Sequence, residues 1–447
     1  MPLNATPGLR AALRPESLIM LFLGFSAGLP YVLIFSSLSL WLSRAGVDVG
    51  QITMLYWAGM LFATKFIFAP FIDRLKLPVL TRMLGRRRGW MILSQLGIFL
   101  SLLGMGLQDP LQHLGYLALL AISLAFCSAI QDIVVDAFRI ECAPQEAQGI
   151  LAATYLGGYR TAMLLCKWGA PVFATWLNPY AADCVGVSVH CDQPYNLSAW
   201  QHTYWIMAGF SLVGMVTTLI IREPGLASAT MSHRKDGSFF RMAIVQPFAD
   251  FFTRYGKRSV ILLSIIGLYR ISDIVMGVIA NPFYVKLGFS NIEIANVTGA
   301  FGMLTTLMGA GIGGVLVSRY GIVRILFVGA LLASATNMLF AVLAISERSI
   351  WGLAMVIVAD NISAGIATAS FIAFLSSLTN VAFSATQYAL FSSLMGLLPK
   401  LIAGFSGALV SHMGYPAFFV LTALPGVPVI LLLIRYLSIL EKKDEVV

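Results

Sequence analysis

Lys65, Asp132, Asp136, Arg160, Lys167, Arg270, Asp273, Asp360 and Lys400 are ionisable residues inside the long apolar runs of this chain. A charge near the centre of a lipid-spanning helix costs at least about 2.5 kcal/mol unless it faces water or a partner. These residues are therefore expected to border an aqueous path, where they could hold a solute or carry a proton. Asp132 and Asp136 belong to FCSAIQDIVVDAF (126–138), one helical turn apart on a common face, and Arg139 extends the stripe.

Asp136, with Arg139 and with Asp73 and Arg74 of the preceding basic loop, reads as an ion-paired gate. Asp132 lies roughly 6 Å deeper and is the better candidate for proton coupling. Burial favours its neutral acid and a neighbouring base its carboxylate, so a group balanced between the two can take up a proton in one conformation and release it in another. A structural or substrate-contacting role for Asp132 stays open. Arg160 and Lys167 are seven apart and share a helix face that could meet these acids or a substrate anion. Arg270 and Asp273, three apart, can pair locally, and Asp273 is a further coupling candidate. Five bases against four acids leave a cationic interior suited to an anionic or zwitterionic solute.

The elements carrying these residues are membrane helices. Of 447 residues 58% are hydrophobic and 11% charged, and the mean hydropathy is +0.84, whereas an ordinary soluble domain is roughly one quarter charged. Apolar segments of about 18–29 residues, each able to cross a hydrocarbon core of about 30 Å as a helix, recur from end to end. They are predicted near 17–42, 51–73, 90–107, 114–138, 150–177, 203–221, 258–285, 291–316, 325–344, 351–379, 386–409 and 415–439. The fold class is thus an all-α membrane protein of twelve transmembrane helices. Strands of a barrel would alternate over about ten residues, and these do not. The N-terminus lacks the short apolar core and cleavage site of a removable signal, so the first helix is expected to stay in the membrane.

The net charge of +9 would suggest nucleic acid in a soluble protein; here its location points to topology instead. About 21 of the 29 Lys and Arg fall in the termini and the even-to-odd loops, about three in the opposite loops and about five inside helices. Both termini are therefore expected in the cytoplasm. The polar stretch 222–257 separates two sets of six helices, 1–221 and 258–447, and its second part, FFRMAIVQPFADFFTRYGKR, reads as an amphipathic helix lying on the inner membrane face. Cys184 and Cys191 lie in the longest outward loop and could form a disulfide if that side is periplasmic; a metal site using His190 is the weaker reading, and no metal or other cofactor is expected. Cys127, Cys142 and Cys166 read as packing residues.

Glycines in GFSAGLP (24–30) allow close helix approach, and Pro30 removes a backbone hydrogen bond. Packing explains Gly24; Gly28 is the better candidate for a cavity-lining hinge. No Walker-type loop, HExxH or nucleophile elbow occurs, so neither ATP-driven pumping nor an enzyme activity has sequence support.

The connection between the second and third helices of each half repeats a landmark, APFIDR…GRRR (69–88) and GGVLVSRYGIVR (313–324). Each resembles the loop signature of the major facilitator superfamily, with Ser318 in place of the acid in the second copy. The resemblance implies two pseudosymmetric six-helix bundles around a cavity lined by the first, fourth, seventh and tenth helices. More specifically, GFSAGLP, the KF…AP…DR pattern (65–74), GRRRGW (85–90), FCSAIQDIVVDAF, LGGYR (156–160), LYRISD (268–273) and FSATQYAL (383–390) resemble the AmpG-type muropeptide permeases, in order and over nearly the whole chain.

That likeness implies proton-driven import of N-acetylglucosaminyl-1,6-anhydro-N-acetylmuramyl peptides across the bacterial inner membrane for peptidoglycan recycling, a flux that in some bacteria controls β-lactamase induction and so antibiotic resistance. A monomer in the lipid bilayer is expected, with muropeptide and protons as its partners and no nucleic acid. Peptide carboxylates would need cations such as Arg160 and Arg270, and the sugars amide and hydroxyl partners such as Gln131, Tyr159, Asn361 and Gln387, with Gly28 and Asp132 nearby. Lys167 and the Cys184–Cys191 loop fall outside the family pattern. Many members carry further hydrophobic segments where this sequence stops at EKKDEVV, so the function of those segments is expected to be missing. Related acetyl-CoA transporters share the glycine-rich first helix, so a coenzyme A thioester or another organic anion is the rival solute, with export or a non-transporting sensor as rival modes.

Overall fold

The computed structural model describes residues 15–142, 148–179, 195–223, 246–378 and 384–444. Its regular elements are all helical. The spans of the first half are α1 (Pro15–Ala45), α2 (Val49–Ala63, resuming as Lys65–Arg74), α3 (Arg86–Met105), α4 (Leu114–Cys142), α5 (Gln148–Leu164, continued to Trp176) and α6 (Leu197–Ile220). Those of the second half are α7 (Arg258–Lys286), α8 (Asn291–Tyr320), α9 (Ile322–Ile345), α10 (Ile350–Leu378), α11 (Ser384–Ala403, resuming at Ser406) and α12 (415–444). Gly414, at φ 76°, ends α11 and starts α12, a backbone conformation open to glycine at little cost. These are the twelve transmembrane helices that the hydropathy pattern predicts.

Helix starts are set by local chemistry. Asn196 caps α6 by accepting from the Ala199 N–H, so that helix begins six residues before the apolar run that announces it. Ser290 and Glu293 form a reciprocal capping box at the start of α8. Among the described residues, three spans contain a π turn: Leu33–Ser37 in α1, Leu165–Gly169 in α5 and Ala295–Phe301 in α8. The first two meet, where Ser37 Oγ donates to the Cys166 carbonyl at 3.3 Å and occupies an acceptor in the widened turn.

Contacts divide the chain into two compact units. One comprises Met1–Val47, Thr64–His233 and Ser290–Ala295; the other comprises Asp48–Ala63, Arg234–Phe289 and Asn296–Val447. The second helix of each half therefore begins in the other unit, and each changes unit at an irregularity: the bend at Thr64 in α2 and the π turn of α8.

In the first unit α1 and α5 touch backbone to backbone. A Cβ on Gly24 would run into the Tyr155 carbonyl, and one on Gly28 into that of Tyr159. Gly28 is thus buried in the same packing seam as Gly24, which corrects the expectation of a cavity-lining hinge.

Each unit also has a buried polar link among the first, third and sixth helices of its half. Thr218 of α6 donates to Gln95 of α3 at 2.9 Å, beside Ser26 of α1 over Gly214. Asn337 of α9 likewise donates to Ser272 of α7 at 2.9 Å and to Thr422 of α12 at 3.1 Å. Lipid provides little drive for apolar association, so such hydrogen bonds and close backbone contacts hold the helices in register.

The amphipathic segment forms a helix, Gln246–Tyr255. One face packs on protein: Phe251 is 2% exposed and joins Leu262, Phe374 and Phe391 in the core of the second unit. Arg254 ties it to the end of α10 through the Leu378 carbonyl at 3.4 Å and pairs within the helix with Asp250 at 2.8 Å.

Candidate functional site

In the first unit the acidic stripe of α4 is assembled as its spacing predicts. Asp132 has one carboxylate oxygen buried without a hydrogen-bond partner. Lys65 of α2, Asp136 one turn along and both Tyr155 and Tyr159 of α5 lie within electrostatic reach of it. Lys65 is brought there because α2 bends at Thr64 and restarts with that lysine as its first residue. A buried carboxylate with an unused acceptor is chemically incomplete, and a proton, a cation or a donor group of a solute would complete it.

Asp136 pairs with Arg139 at 3.4 Å, but the acid is 46% exposed, so this bond contributes little on its own. The stronger ion pair at this end of α4 joins partners that spacing does not link. Arg87 donates to both carboxylate oxygens of Glu141, its shortest contact being 2.7 Å. Glu223 accepts from the backbone N–H groups of Arg87 and Arg88 at the start of α3, and Arg88 donates to the Thr218 and Leu219 carbonyls at the end of α6. The basic run in GRRRGW was the available signal; nothing marked Glu141 and Glu223 as its partners.

Gln131 is fully buried and donates to Ser26 at 2.9 Å, tying α4 to α1. Arg160 is exposed, its guanidinium 4.0 Å from the Met163 sulfur, and it makes no ion pair among the described residues. Lys167 stands in the π turn of α5.

The second unit gathers a different set. Arg270 pairs with Asp273 at 3.0 Å and donates to Thr368 of α10 at 3.0 Å. The guanidinium stands where α7 breaks, just after Tyr269, whose ring stacks on Phe371 at 4.7 Å. Asn361 accepts from Thr306 of α8 at 2.8 Å, and Asp360 from Thr336 of α9 at 3.2 Å. Lys400 donates to the Gly59 carbonyl at 3.0 Å in the 3₁₀ stretch of α2. Gln387 lies in the first turn of α11, and its side chain is outside the described residues, as are those of Asp73 and Arg74 and the whole of Cys184, His190 and Cys191. No cluster of His, Cys, Asp and Glu able to hold a metal occurs among the described residues.

Taken together, each unit offers polar and ionisable side chains at membrane depth, the first chiefly acids and tyrosines, the second a guanidinium held by an acid. Such an arrangement can recognise a polar solute and exchange protons with it, and no assembled nucleophile and base occurs among the described residues.

Comparison with known proteins identifies the family. The family model described as Major Facilitator Superfamily matches residues 20–399. The chain is 32% identical to the anhydromuropeptide permease of Escherichia coli K12, covering 97% of this chain and 82% of that one. It is also 32% identical to the putative transporter AmpG 4 of Rickettsia felis, covering 92% and 94%. Among solved structures, a POT family transporter in complex with a thioalcohol conjugated peptide superposes with a TM-score of 0.68 at 13% identity, covering 95% and 96% of the two chains. A D-xylose-proton symporter gives 0.66 at 14%, covering 93% and 96%. On the family match and these near-full-length relatives, the chain belongs to the Major Facilitator Superfamily and, within it, to the AmpG-type transporters; it is a multi-pass membrane carrier rather than an enzyme.

Proposed function

We propose that this protein imports anhydromuropeptides, N-acetylglucosaminyl-1,6-anhydro-N-acetylmuramyl peptides, from periplasm to cytoplasm together with protons. The observation carrying the substrate is the 32% identity to the Escherichia coli anhydromuropeptide permease over 97% of the chain. The orientation follows from charge: the ends that carry most of the Lys and Arg, including both termini, face the cytoplasm.

Proton coupling rests on Asp132. Its buried, unpartnered oxygen lies near Lys65 and Asp136, so the protonation of the carboxyl is set by how closely those two charges and water approach. A conformational change that moves α2 against α4 would alter that balance and drive proton uptake on one side and release on the other. Arg160, with no acid bound to it among the described residues, and Arg270 are the cations available to the peptide carboxylates. Tyr159 is the amphipathic group suited to the sugars, while the amide of Asn361 is engaged by Thr306 and the Ile357 carbonyl.

The test is uptake of labelled anhydromuropeptide into right-side-out membrane vesicles, with acetyl-CoA and the bare disaccharide as comparison solutes. Preferential, saturable uptake of the muropeptide supports the reading. Equal or greater uptake of acetyl-CoA reassigns the substrate, and binding without flux reassigns the protein as a sensor.

A further inference from the structure

Arg270 and Asp273 form the one charged pair found within the span of α7 among the described residues. The side chains keep 22% and 16% of their exposure, so the pair is neither sealed nor solvated. Ions with that much surface are too costly against hydrocarbon, and the pair therefore borders the water-filled path. Nη1 of Arg270 serves both Asp273 and Thr368, which leaves the remaining N–H groups of the planar fork without a protein acceptor among the described residues. A partly exposed guanidinium with an open edge has the donors that a carboxylate needs.

An arriving carboxylate would put two anions on one cation in a poorly solvated place. Such a group is stable only if one of the acids becomes neutral. Arg270 is the charge acting on Asp273. The neighbouring elements supply no substitute: α10 contributes Thr368 and Ser370, Asp360 is engaged by Thr336, Lys400 of α11 bonds to Gly59, and Arg324 of α9 and Arg435 of α12 are exposed. Tyr269 on α7 itself donates to the Leu326 carbonyl at 3.1 Å.

We propose that Arg270 and Asp273 form an exchange site: a carboxylate of the solute takes the guanidinium, the Arg270–Asp273 pair breaks, and Asp273 takes one proton from the water path to become a neutral acid. Charge balances, since one cation faces one anion before and after. Solute and proton therefore bind together and, on release, leave together as the original pair re-forms. The proposal rests on the reading of the protein as a carrier of carboxylate-bearing muropeptides, and adds a second place where that solute is tied to a proton.

The test is equilibrium binding of an anhydromuropeptide to the whole protein in lipid nanodiscs between about pH 6 and 8, where the peptide carboxylates stay ionised. One proton taken up per anion makes affinity fall as pH rises, by about tenfold per pH unit while Asp273 is ionised in the empty protein. The wild type should follow that slope, and a peptide amidated at its carboxyl groups should bind without it. Asp273→Asn should bind the free peptide without that tenfold step per pH unit. Arg270→Gln, melting like the wild type, should no longer distinguish free from amidated peptide. Asp273→Asn retaining the wild-type slope overturns the exchange site and leaves the substrate reading intact. Failure of the wild type to bind muropeptide at any pH overturns both.

Discussion

Arg87 of α3 grips Glu141 at the end of α4 through both carboxylate oxygens, with the arginine side chain 6% and the glutamate 15% exposed. The two stand 54 positions apart in the chain. Breaking such a pair leaves a desolvated ion without compensation, which costs about 3–5 kcal/mol. Glu141→Gln is therefore expected to lower the melting temperature in detergent clearly, and Asp136→Asn, on the exposed partner of Arg139, to change it little. Equal shifts would mean that the Arg87 bridge is not what fastens this end of α4.

The seam between α1 and α5 makes a sharper distinction between glycines. A methyl at Gly28 meets the Tyr159 carbonyl, whereas one at Gly209 on α6 meets nothing within 4 Å. Gly28→Ala should prevent recovery of folded protein by size exclusion or destabilise it by several degrees, while Gly209→Ala behaves like the wild type. Tolerance of Gly28→Ala would show that α1 and α5 can separate there without penalty.

Much of this architecture was legible from composition. Each apolar run became a helix, because a chain crossing lipid must satisfy its backbone internally and the helix does so locally. The acidic stripe of α4 was legible for the same reason: Asp132 and Asp136 share a face by geometry alone. What spacing did not reveal are bonds between distant segments, such as Thr218 to Gln95, Asn337 to Thr422 and Arg87 to Glu141. A single polar residue in an apolar run reads alike whether it lines a passage or links two helices, and Gln131 was read as a substrate contact while the structure has it bonded to Ser26. The π turns left no compositional trace, and neither did the packing of Phe251 into the core of the second unit.

Gln131 gives a prediction of its own. Replacing it with Leu removes the bond to Ser26 and leaves that hydroxyl buried without its donor, a loss of about 1–3 kcal/mol. The expected result is lower thermal stability with substrate affinity changed less than threefold. A large loss of affinity at unchanged stability would return Gln131 to the binding surface.

Arg160 is exposed and forms no ion pair among the described residues, so its guanidinium is available to a ligand. A charge-assisted hydrogen bond contributes about 1.5–3 kcal/mol, and Arg160→Ala should weaken binding of the peptide-bearing substrate by about tenfold or more. A fully amidated peptide should lose far less. Equal losses for both would mean that Arg160 does not contact the carboxylates.

The unpartnered carboxyl of Asp132 is the centre of the transport account, and proteoliposomes test it most directly. Labelled anhydromuropeptide would be followed under an imposed inward proton gradient, with and without an uncoupler, for the wild type and for Asp132→Asn. The wild type should concentrate the solute and lose that ability on uncoupling, while the variant only equilibrates it yet still exchanges it across the bilayer. Undiminished accumulation by Asp132→Asn, or wild-type accumulation indifferent to the uncoupler, would contradict the account.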